Sequence, residues 1–370
     1  MRLMFICGSL EPGHDGVGDY VRRLGSALLK AGHSVSAVAL EDHYVKKTQK
    51  ENQASGGALL PVLRIPQGQS SAYKRLQVRT FTDALDPEMI SLQYVPYSFH
   101  AKGIPFSLIN NLRPLVAGCR FHVLFHELWL DTPIGAGQKI TAWLQRKLIG
   151  RLISKLKPEV VHVTVEFNRE RLERIGVDAG VLGLFGNIYP DEETANKEIV
   201  FEDTLNISSA VLYFGEPPKG IFRSIFLAEV ARFCSTHQHG LRLVLACGNS
   251  AAKDEFCRLL RKSLDGYAYE IIDCGFLSVG TLSVLMNRCN AGISKSKPHL
   301  LAKSGAAVAM LEHGLPIWAP RWDGTAALGV EFRKELVFSD LVQAITSAKP
   351  AYHSLVEDVA KAFVNQLKAS

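Results

Sequence analysis

The sequence predicts an α/β protein made of two parallel, doubly wound domains. Its beginning reads as strand, loop, helix and strand. An apolar run at 3–7 precedes a glycine-rich loop, apolar residues at helical spacing fill 20–31, and a Val/Ala-rich run follows at 34–40. The same alternation recurs from 210 to 319. The 370 residues equal about two and a half domains of roughly 150 residues, so a single undivided core is not expected.

Strand and helix candidates continue to alternate through the first half. Strands are predicted at 89–93, 120–125, 160–165 and 180–185. Helices are predicted around 105–117, 137–156 and 167–174. Strands separated by helices favour a parallel sheet, and ligand-binding loops gather at the carboxyl ends of such strands. Two tandem domains of this kind are expected to place a ligand in a cleft between them.

A polar, acidic stretch at 187–208 interrupts the pattern and predicts a domain boundary. The second half is predicted to contain strands at 210–215, 241–247, 269–274, 290–294 and 315–319, with helices at 220–236, 251–264, 280–288 and 304–313. We therefore expect an N-terminal domain over 1–187, a linker over 188–209 and a C-terminal domain over 210–350. A closing helix over 351–370 is expected because one helical face collects Leu355, Val359, Ala362, Phe363 and Leu367.

Composition excludes several classes of protein. No apolar run approaches the roughly 18 residues of a membrane span, and the start is too quickly interrupted by glycine for a secretory signal, so a cytoplasmic protein is expected. The 7 cysteines stand singly, without the spacing of a zinc site or a disulfide framework. A net charge of +6 suits an anionic small ligand but falls short of a dedicated nucleic-acid binder.

The loop GSLEPGHDGVGDY is the first candidate site. Its glycines Gly13, Gly16 and Gly18 immediately precede a helix, where they let backbone N–H groups approach an anion at the positive helix end. A plain strand-to-helix turn would also need such glycines. The loop is too long for the dinucleotide turn GxGxxG and has a different order, although Glu41 stands near the spacing of a ribose-binding acid, which leaves a nicotinamide enzyme open.

The second candidate is the strand end FHVLFHELWLDTP. His126 and Glu127 follow the apolar strand and enter a loop that contains Trp129 and Asp131. A histidine just past the carboxyl end of a parallel strand can hydrogen-bond a substrate hydroxyl or act on a proton. The alternative is a histidine satisfied inside the core, a role better suited to His122, which lies within the strand.

Two further segments suit a phosphate. In YFGEPPKG, Lys219 sits on a proline-stiffened loop before a helix, where an ammonium group suits a diphosphate, although a merely solvated lysine is the alternative. In the segment that starts SKSKPHLLAKSG, Lys303, Ser304 and Gly305 open a small-residue helix whose first N–H groups are free for an anion. Tight helix packing would equally explain the small residues that follow.

These segments together resemble the GT-B glycosyltransferases, and most closely the family 4 type, which retains anomeric configuration. The N-terminal glycine loop, ALLKAGHSVSAVAL, FHELW, FGEPPKG and MLEHGLPI occur in that family's order over nearly the whole chain. The resemblance implies a nucleotide-sugar donor held mainly by the C-terminal domain, an acceptor held mainly by the N-terminal domain, and no metal. It also implies sugar or phosphate contacts for Gly16 and Gly18, a place beside the sugar for His126, and diphosphate binding by Lys219.

The assignments predicted on this basis cover both halves of the chain. The residues assigned to catalysis are His126, Gly18 and Asp19. The residues assigned to substrate binding are Gly16, Val17, Glu127, Lys219, Lys303, Ser304, Gly305 and Arg321. No metal ligand and no cofactor are predicted.

The sequence departs from the family pattern at three places. The usual pair of glutamates, separated by seven residues, is replaced by Leu301 and Ala309, and the arginine expected after the glycine of the FGEPPKG loop is Glu216. The first two changes bear on the identity of the donor and on activity itself. Lys303, Ser304 and Arg321 are expected to compensate for the missing cation, because a phosphate needs positive charge and donors more than one particular side chain.

The predicted function is sugar transfer from a nucleotide-diphosphate donor to a glycan, glycolipid or other acceptor, in polysaccharide or glycoconjugate assembly. The alternatives left open are a catalytically silent nucleotide-sugar-binding or scaffold protein and a GT-B nucleotide-sugar epimerase.

The helix TAWLQRKLIGRLISKLK carries five basic residues, no acidic residue and a leucine stripe formed by Leu144, Leu148, Leu152 and Leu156. It is typical of an interfacial helix and leaves open a peripheral contact with the inner face of the membrane, while a core-packed helix with a solvated basic face is the alternative.

Overall fold

The computed structural model describes residues 1–190, 207, 209–237, 240–321 and 328–369. The chain forms two compact units. The first comprises Met1–Gly183 together with the C-terminal segment that starts at Val356, and the second comprises Leu184–Leu355. The first unit therefore stops four residues before the predicted limit at 187, and the last helix is part of it.

The first unit contains an eight-stranded sheet. Its strands are β1 (Arg2–Cys7), β2 (Ser34–Asp42), β3 (Gln49–Ser55), β4 (Ala58–Pro66), β5 (Met89–Tyr94), β6 (Arg120–Phe125), β7 (Val160–Val163) and β8 (Gly180–Val181). They lie in the order β3-β4-β2-β1-β5-β6-β7-β8. The predicted first-half strands are present, although the strand predicted at 180–185 has only two residues.

Helices cover both faces of this sheet. They are α1 (Gly16–Lys30), α2 (Ser71–Leu85), α3 (Pro96–Phe99), α4 (Leu108–Val116), α5 (Gly135–Leu156) and α6 (Glu166–Glu173), followed at the end of the chain by a helix over Val356–Ala369. One large apolar cluster fills the space between the sheet and α2, α4 and α5. The opposite face of the sheet carries Phe5 and His122, and Phe363 of the last helix packs on both of them.

The strand β3 corrects the expectation of an all-parallel sheet. It pairs with β4 in antiparallel fashion, while every other pairing in this sheet is parallel. Gly56 and Gly57 join the two strands with φ values of 51° and 82°, as a two-residue hairpin turn requires. The polar sequence QKENQAS of β3 lacks apolar alternation, and the strand lies at the edge of the sheet, where little apolar surface is needed.

The second unit contains a six-stranded sheet in which all pairings are parallel. Its strands are β9 (Ala210–Phe214), β10 (Leu241–Ala246), β11 (Tyr269–Asp273), β12 (Ala291–Ile293), β13 (Ile317–Trp318) and β14 (Val337–Phe338), in the order β11-β10-β9-β12-β13-β14. Its helices are α7 (Gly220–Thr236), α8 (Ala251–Ser263), α9 (Val279–Arg288), α10 (Gly305–Glu312) and α11 (Leu341–Thr346). The C-terminal helix Val356–Ala369 is α12. The predicted fold class, with two parallel-dominated α/β sheets, is confirmed.

The leucine stripe of α5 belongs to the core, which corrects its interpretation as a membrane-facing surface. Leu148, Leu152 and Leu156 are buried, and Leu144 is half-buried. The helix points a different face toward solvent. That face carries Ile140, Trp143 and five exposed basic residues, Arg146, Lys147, Arg151, Lys155 and Lys157. No helix in the described parts of the chain is long and apolar enough to span a membrane.

Candidate functional site

The glycine loop predicted as an anion site joins β1 to the N-terminus of α1. Asp15 caps this helix, and its Oδ1 accepts a hydrogen bond from the Gly18 N–H over 2.6 Å. Gly18 is required by close packing, because a Cβ at this position would lie 2.6 Å from the carbonyl oxygen of Ser9. Gly16 is exposed and Val17 is half-buried, so both lie at the surface of the helix start. The helix therefore begins at Gly16 rather than after Gly18, and the Gly18 N–H is already bonded to the Asp15 cap.

Asp19, predicted to take part in catalysis, has two partners within its own segment. Its Oδ1 accepts from the Gly13 N–H over 3.0 Å, and the guanidinium of Arg22 donates to the same carboxylate. The side chain is 17% exposed and the Arg22 side chain 12%. These contacts fix the tip of the loop at Gly13, which has a positive φ of 75°. In this structure, Asp19 holds the loop together.

A buried ionic cluster supports the loop from the neighbouring strands. Asp42, at the end of β2, accepts from the Leu10 N–H over 3.1 Å and from the Arg64 guanidinium over 2.8 Å. Arg64 also donates to Glu11 within the loop. Burial acts to raise the pKa of Asp42, but the hydrogen bonds from Arg64 and from the backbone outweigh it and lower that pKa. The loop that precedes α1 is therefore fixed by paired charges.

Glu41 has a different partner from the one a nicotinamide enzyme would need. Its Oε1 accepts from the ammonium group of Lys74, and the two side chains are 13% and 5% exposed. The backbone N–H of Gly68 donates to its Oε2 over 3.4 Å. Because this carboxylate is already paired and nearly buried, it is poorly suited to bind a ribose.

His126 lies at the carboxyl end of β6, at the same edge of the sheet as the glycine loop. Only β5 separates β6 from β1. Its Nε2 is 2.9 Å from the side-chain oxygen of Gln93, and the ring of Tyr20 from α1 packs edge-on against it, with 4.9 Å between the ring centroids. The structure therefore brings His126 and α1 together through Tyr20. Burial lowers the pKa of His126 to about 3, so the imidazole is neutral near pH 7.

The loop after β6 is tied down by residues that are distant in sequence. Arg171 of α6 pairs with Asp131, donates to the carbonyl oxygen of Trp129 over 2.8 Å, and stacks on the Trp129 ring at 4.5 Å. Gln145 of α5 accepts from the Leu130 N–H over 3.0 Å. Glu127 is half-buried within this loop. The backbone that follows His126 is thus held by two helices.

Sequence reasoning missed three residues that shape this part of the first unit, namely Tyr20, Gln93 and Arg171. The signal for Gln93 was a polar residue inside the apolar strand MISLQY. Tyr20 and Arg171 offered no signal of their own, because apolar and basic residues at helical spacing are common.

In the second unit, the predicted phosphate-binding residues follow three neighbouring strands. Lys219 follows β9, Lys303 to Gly305 follow β12, and Arg321 follows β13. Lys219, Gly305 and Arg321 are exposed, while Lys303 and Ser304 are half-buried. They therefore lie at the carboxyl edge of one sheet, where parallel α/β folds bind ligands.

Two details of this edge were not expected from the sequence. Lys295, just after β12, lies 3.6 Å from the carboxylate of Glu216, so a second lysine reaches the loop that contains Lys219. The Ser304 hydroxyl caps α10 by accepting from the Ala307 N–H over 3.2 Å. The Ser304 hydroxyl is therefore already used in a hydrogen bond within the protein.

Two residues occupy the positions at which the family 4 type has glutamates, namely Leu301 and Ala309. Both are fully buried in the apolar core of the second unit. Ala309 faces Gly186, at which an added Cβ would lie 2.8 Å from the Ala309 Cβ and 2.6 Å from Glu312 Oε2. The chain around Gly186 thus occupies the space into which a longer side chain at 309 would extend. This close packing explains why a small residue stands there.

The described residues contain no group of three or more His, Cys, Asp or Glu side chains that could hold a metal ion. If a metal were needed, Asp15, Asp19 and Asp323 would be the carboxylates to consider as ligands. Asp15 and Asp19 are engaged in the cap and loop contacts described above, and Asp323 lies outside the described residues.

Comparisons with known proteins bear on both units. Residues 15–187 match the family model described as glycosyl transferase 4-like domain. Across 100% of the chain, the fold is similar to 99% of a trehalose-6-phosphate synthase, with a TM-score of 0.57 and 12% sequence identity. It is also similar to the whole of UDP-GlcNAc 2-epimerase from Methanocaldococcus jannaschii, with a TM-score of 0.56 and 12% identity over 100% of this chain.

The catalytic domain of starch synthase IV from Arabidopsis thaliana, bound to ADP and acarbose, gives a TM-score of 0.53 and 13% identity, over 100% of this chain and 92% of that chain. A search of curated protein sequences finds no match. At these identities, the structural similarities show the fold, which is GT-B. The resemblance predicted from the sequence is confirmed: residues 15–187 match the glycosyl transferase 4-like domain, and the chain has the GT-B fold.

Proposed function

We propose that this protein is a glycosyltransferase that moves a sugar from a nucleotide-diphosphate donor to a glycan, glycolipid or other acceptor, with retention of configuration. The match of residues 15–187 to a glycosyl transferase 4-like domain carries the proposal. That range begins at the Asp15 cap of α1, and within it Tyr20 of α1 packs against His126. The similarity of the fold to a trehalose-6-phosphate synthase and to a starch synthase also fits sugar transfer.

In the proposed reaction, the protein supplies positioning and electrostatic stabilisation. The second unit binds the donor diphosphate with Lys219, Lys303 and the exposed start of α10 at Gly305, with Arg321 as a further cation. Gly16, Val17 and Glu127 bind the sugar or the acceptor in the first unit, and Gly18 supports them by allowing the close packing of the helix start against Ser9. His126 is neutral, so its role is to hydrogen-bond a sugar hydroxyl rather than to donate a proton as an imidazolium.

The charges of the second unit also support a reaction without metal. Lys219 is exposed in the loop that follows β9, and Lys295 lies 3.6 Å from Glu216 of the same loop. Ammonium groups can neutralise a departing diphosphate directly. We therefore propose that no divalent cation and no cofactor are required. Activity that is abolished by EDTA and restored by magnesium or manganese would contradict this.

Two other functions remain candidates because specific observations favour them. An epimerase acting on a nucleotide sugar is favoured by the similarity to UDP-GlcNAc 2-epimerase. A binding protein without turnover is favoured by Leu301 and Ala309, since the two carboxylates of the family are replaced by buried apolar side chains.

The exposed face of α5 supports contact with an anionic membrane or a lipid-linked acceptor. Ile134 is 83% exposed, Ile140 60% and Trp143 58%, and the basic residues of the helix lie beside them. Apolar side chains next to cations are the combination that interfacial helices present to lipid. We propose peripheral contact through this face, with assembly of a cell-surface glycan as the setting.

A panel of nucleotide sugars tests the proposed function. The purified chain is incubated with UDP-, GDP-, ADP-, dTDP- and CMP-sugars, with EDTA or with magnesium, and donor consumption and products are followed by chromatography. Release of nucleotide diphosphate with one donor supports a transferase, and an epimerised nucleotide sugar supports the epimerase. Calorimetric binding of a nucleotide sugar that stays intact with every acceptor tried would overturn the proposal in favour of a binding protein.

A further inference from the structure

A continuous row of buried hydrogen bonds extends from His126 across three strands of the first unit. The Gln93 side chain is 2.9 Å from His126 Nε2 and donates to the Ser91 hydroxyl over 2.8 Å. Ser91 is 2.8 Å from His122 Nδ1, and His122 Nε2 is 2.9 Å from His162 Nδ1. We call these five residues the histidine row, and each is less than a tenth exposed.

The direction of the row is set at its His126 end by Gln93. The Gln93 side-chain oxygen can only accept, so His126 Nε2 must carry the proton and donate it. Ser91 accepts from the Gln93 amide, and we assign its own O–H as the donor to His122 Nδ1. A neutral imidazole has one N–H, so His122 carries its proton on Nε2 and donates to His162 Nδ1. Burial lowers the pKa of all three histidines, to about 3 for His126 and about 4 for His162, which keeps the rings neutral.

The surrounding structure encloses the row. Phe363 of α12 packs edge-on against His122, with 5.1 Å between ring centroids, and Gln366 of the same helix hydrogen-bonds His162. Gly180 of β8 makes room for the His162 ring, because a Cβ there would lie 2.7 Å from its Cδ2. The last helix therefore covers part of the histidine row.

We infer that Gln93, Ser91, His122 and His162 are positioning residues that fix His126 in the tautomer with the proton on Nε2, so that its Nδ1 presents a lone pair to a hydroxyl of the substrate. The contact between His126 and a substrate hydroxyl rests on the proposed function, whereas the tautomer of His126 does not. Ser91 is fully buried, and its hydroxyl joins Gln93 to His122, where an apolar residue would carry a lower desolvation cost but would interrupt the row. Chains of hydrogen bonds polarise each other, so the far end of the row acts on His126.

The tautomer is measured by NMR of the full-length chain labelled with 15N-histidine, because the imidazole nitrogen shifts report which nitrogen carries the proton. His126→Gln assigns the His126 signals. We expect the wild type to show His126 with its proton on Nε2. A proton on Nδ1, or a mixture of tautomers in the wild type, would overturn the inference.

Ser91→Ala breaks the row at its middle without touching His126. We expect His126 to become a mixture of tautomers, and kcat for donor turnover to fall about 2- to 10-fold, because only the fraction in the competent tautomer reacts. The KM for the nucleotide sugar should stay within about twofold, because the row does not contact the nucleotide. His162→Leu removes the acceptor for His122 and should change the His126 tautomer and kcat in the same direction as Ser91→Ala. His162→Asn retains an acceptor for His122, so both quantities should stay closer to those of the wild type.

Ser283→Ala is the matched control. Ser283 is buried in the second unit, and its hydroxyl lies 2.8 Å from His313 Nε2, so this variant also breaks a buried serine–histidine bond. It should lower stability to a similar degree and leave the His126 tautomer unchanged. If Ser91→Ala also leaves the tautomer unchanged, the inference is wrong whatever the activity. If the tautomer shifts in a protein that turns over no nucleotide sugar, the proposed function fails and the positioning role stands.

Discussion

Arg64 and Asp42 form a buried ion pair beneath the glycine loop, with 2.8 Å between Arg64 Nε and Asp42 Oδ2. Their side chains are 6% and 0% exposed. Because Asp42 also accepts from the Leu10 N–H, the pair links β2 and β4 to the segment that leads into α1. Removing one partner of such a pair leaves the other charge desolvated and unpaired, which is strongly destabilising.

Arg64→Met should therefore lower the free energy of unfolding by about 3–5 kcal/mol, measured by urea unfolding at neutral pH. The control is Arg2→Met, which removes an arginine whose side chain is 45% exposed and pairs with Asp86 and Glu88. Exposed pairs contribute about 1 kcal/mol or less. If both variants lose the same small amount, the buried pair does not support the loop as argued.

The histidine row should make the protein less stable in mild acid. Its three histidines have lowered pKa values in the folded chain, whereas unfolded histidines titrate near about 6.5. Between about pH 4 and 6.5 the unfolded state binds more protons, so the free energy of unfolding falls as the pH is lowered. Each histidine adds up to about 1.4 kcal/mol per pH unit to this slope.

Urea unfolding at several pH values measures the slope. His162→Gln should make it shallower, because one group that titrates on unfolding is removed. His100→Gln changes an exposed histidine and should leave the slope as it is in the wild type. A wild-type stability that does not change between about pH 5 and 7 would contradict the burial of three neutral imidazoles.

Lys219→Ala should weaken the binding of nucleoside diphosphates by about 1.5–3 kcal/mol, the range for a hydrogen bond to a charged group. Titration calorimetry with UDP, GDP and ADP measures the change. Lys334→Ala is the control in the same unit, because Lys334 is 60% exposed and pairs with Glu331 instead of lying at the carboxyl edge of the sheet. Equal affinities for wild type and Lys219→Ala would remove Lys219 from the proposed site.

His126→Ala should reduce kcat for donor turnover while the affinity for the nucleoside diphosphate changes little. This is the expected effect of losing a contact to the reacting sugar, since the nucleotide is bound by the other unit in the proposed function. Calorimetry and kinetics on the same preparation separate the two quantities. A thermal melt is recorded alongside, and a variant that no longer folds would show that His126 serves the core rather than the reaction.

Charge reversal on α5, in the triple variant Arg146→Glu, Lys147→Glu and Arg151→Glu, should abolish co-sedimentation with anionic lipid vesicles. Each basic residue near an anionic surface contributes about 1 kcal/mol, and salt screens this attraction. Trp143→Ser tests the apolar part of the same face. The double variant Arg261→Glu and Lys262→Glu changes exposed charges on α8 and should leave binding intact. A wild type that does not sediment with vesicles at low salt would exclude the membrane contact.

The local sequence pattern was sufficient to locate most strands and helices. Apolar runs bounded by glycines or cap residues mark the buried faces of these elements in an α/β fold. The strand at 120–125 and the helix at 220–236 coincide with β6 and α7. The helix α2 was missed because its sequence is largely polar and only Val78, Phe81 and the stem of Lys74 are buried. The edge strand β3 was missed for the same reason, although the Gly56-Gly57 pair signalled its turn.

The sequence predicted the candidate site only at residues that closely follow an apolar strand. His126 and Lys219 follow apolar strands directly, so their location at a carboxyl edge follows from sequence order. The histidine row was not predictable, because Ser91, His122 and His162 come from three strands whose register is set by pairing between distant segments. The contact of Ala309 with Gly186 is likewise a product of packing, and no local pattern encodes it.

The position of α12 affects how the chain can fold during synthesis. Because this helix supplies Phe363 and Gln366 to the first unit, the N-terminal sheet emerges from the ribosome long before the segment that covers one of its faces. The entire second unit is made in the interval, as an insertion within the first. Until α12 is made, Phe5 and His122 lack the cover of Phe363, so we expect a fragment that ends at Gly183 to expose more apolar surface than the complete first unit does.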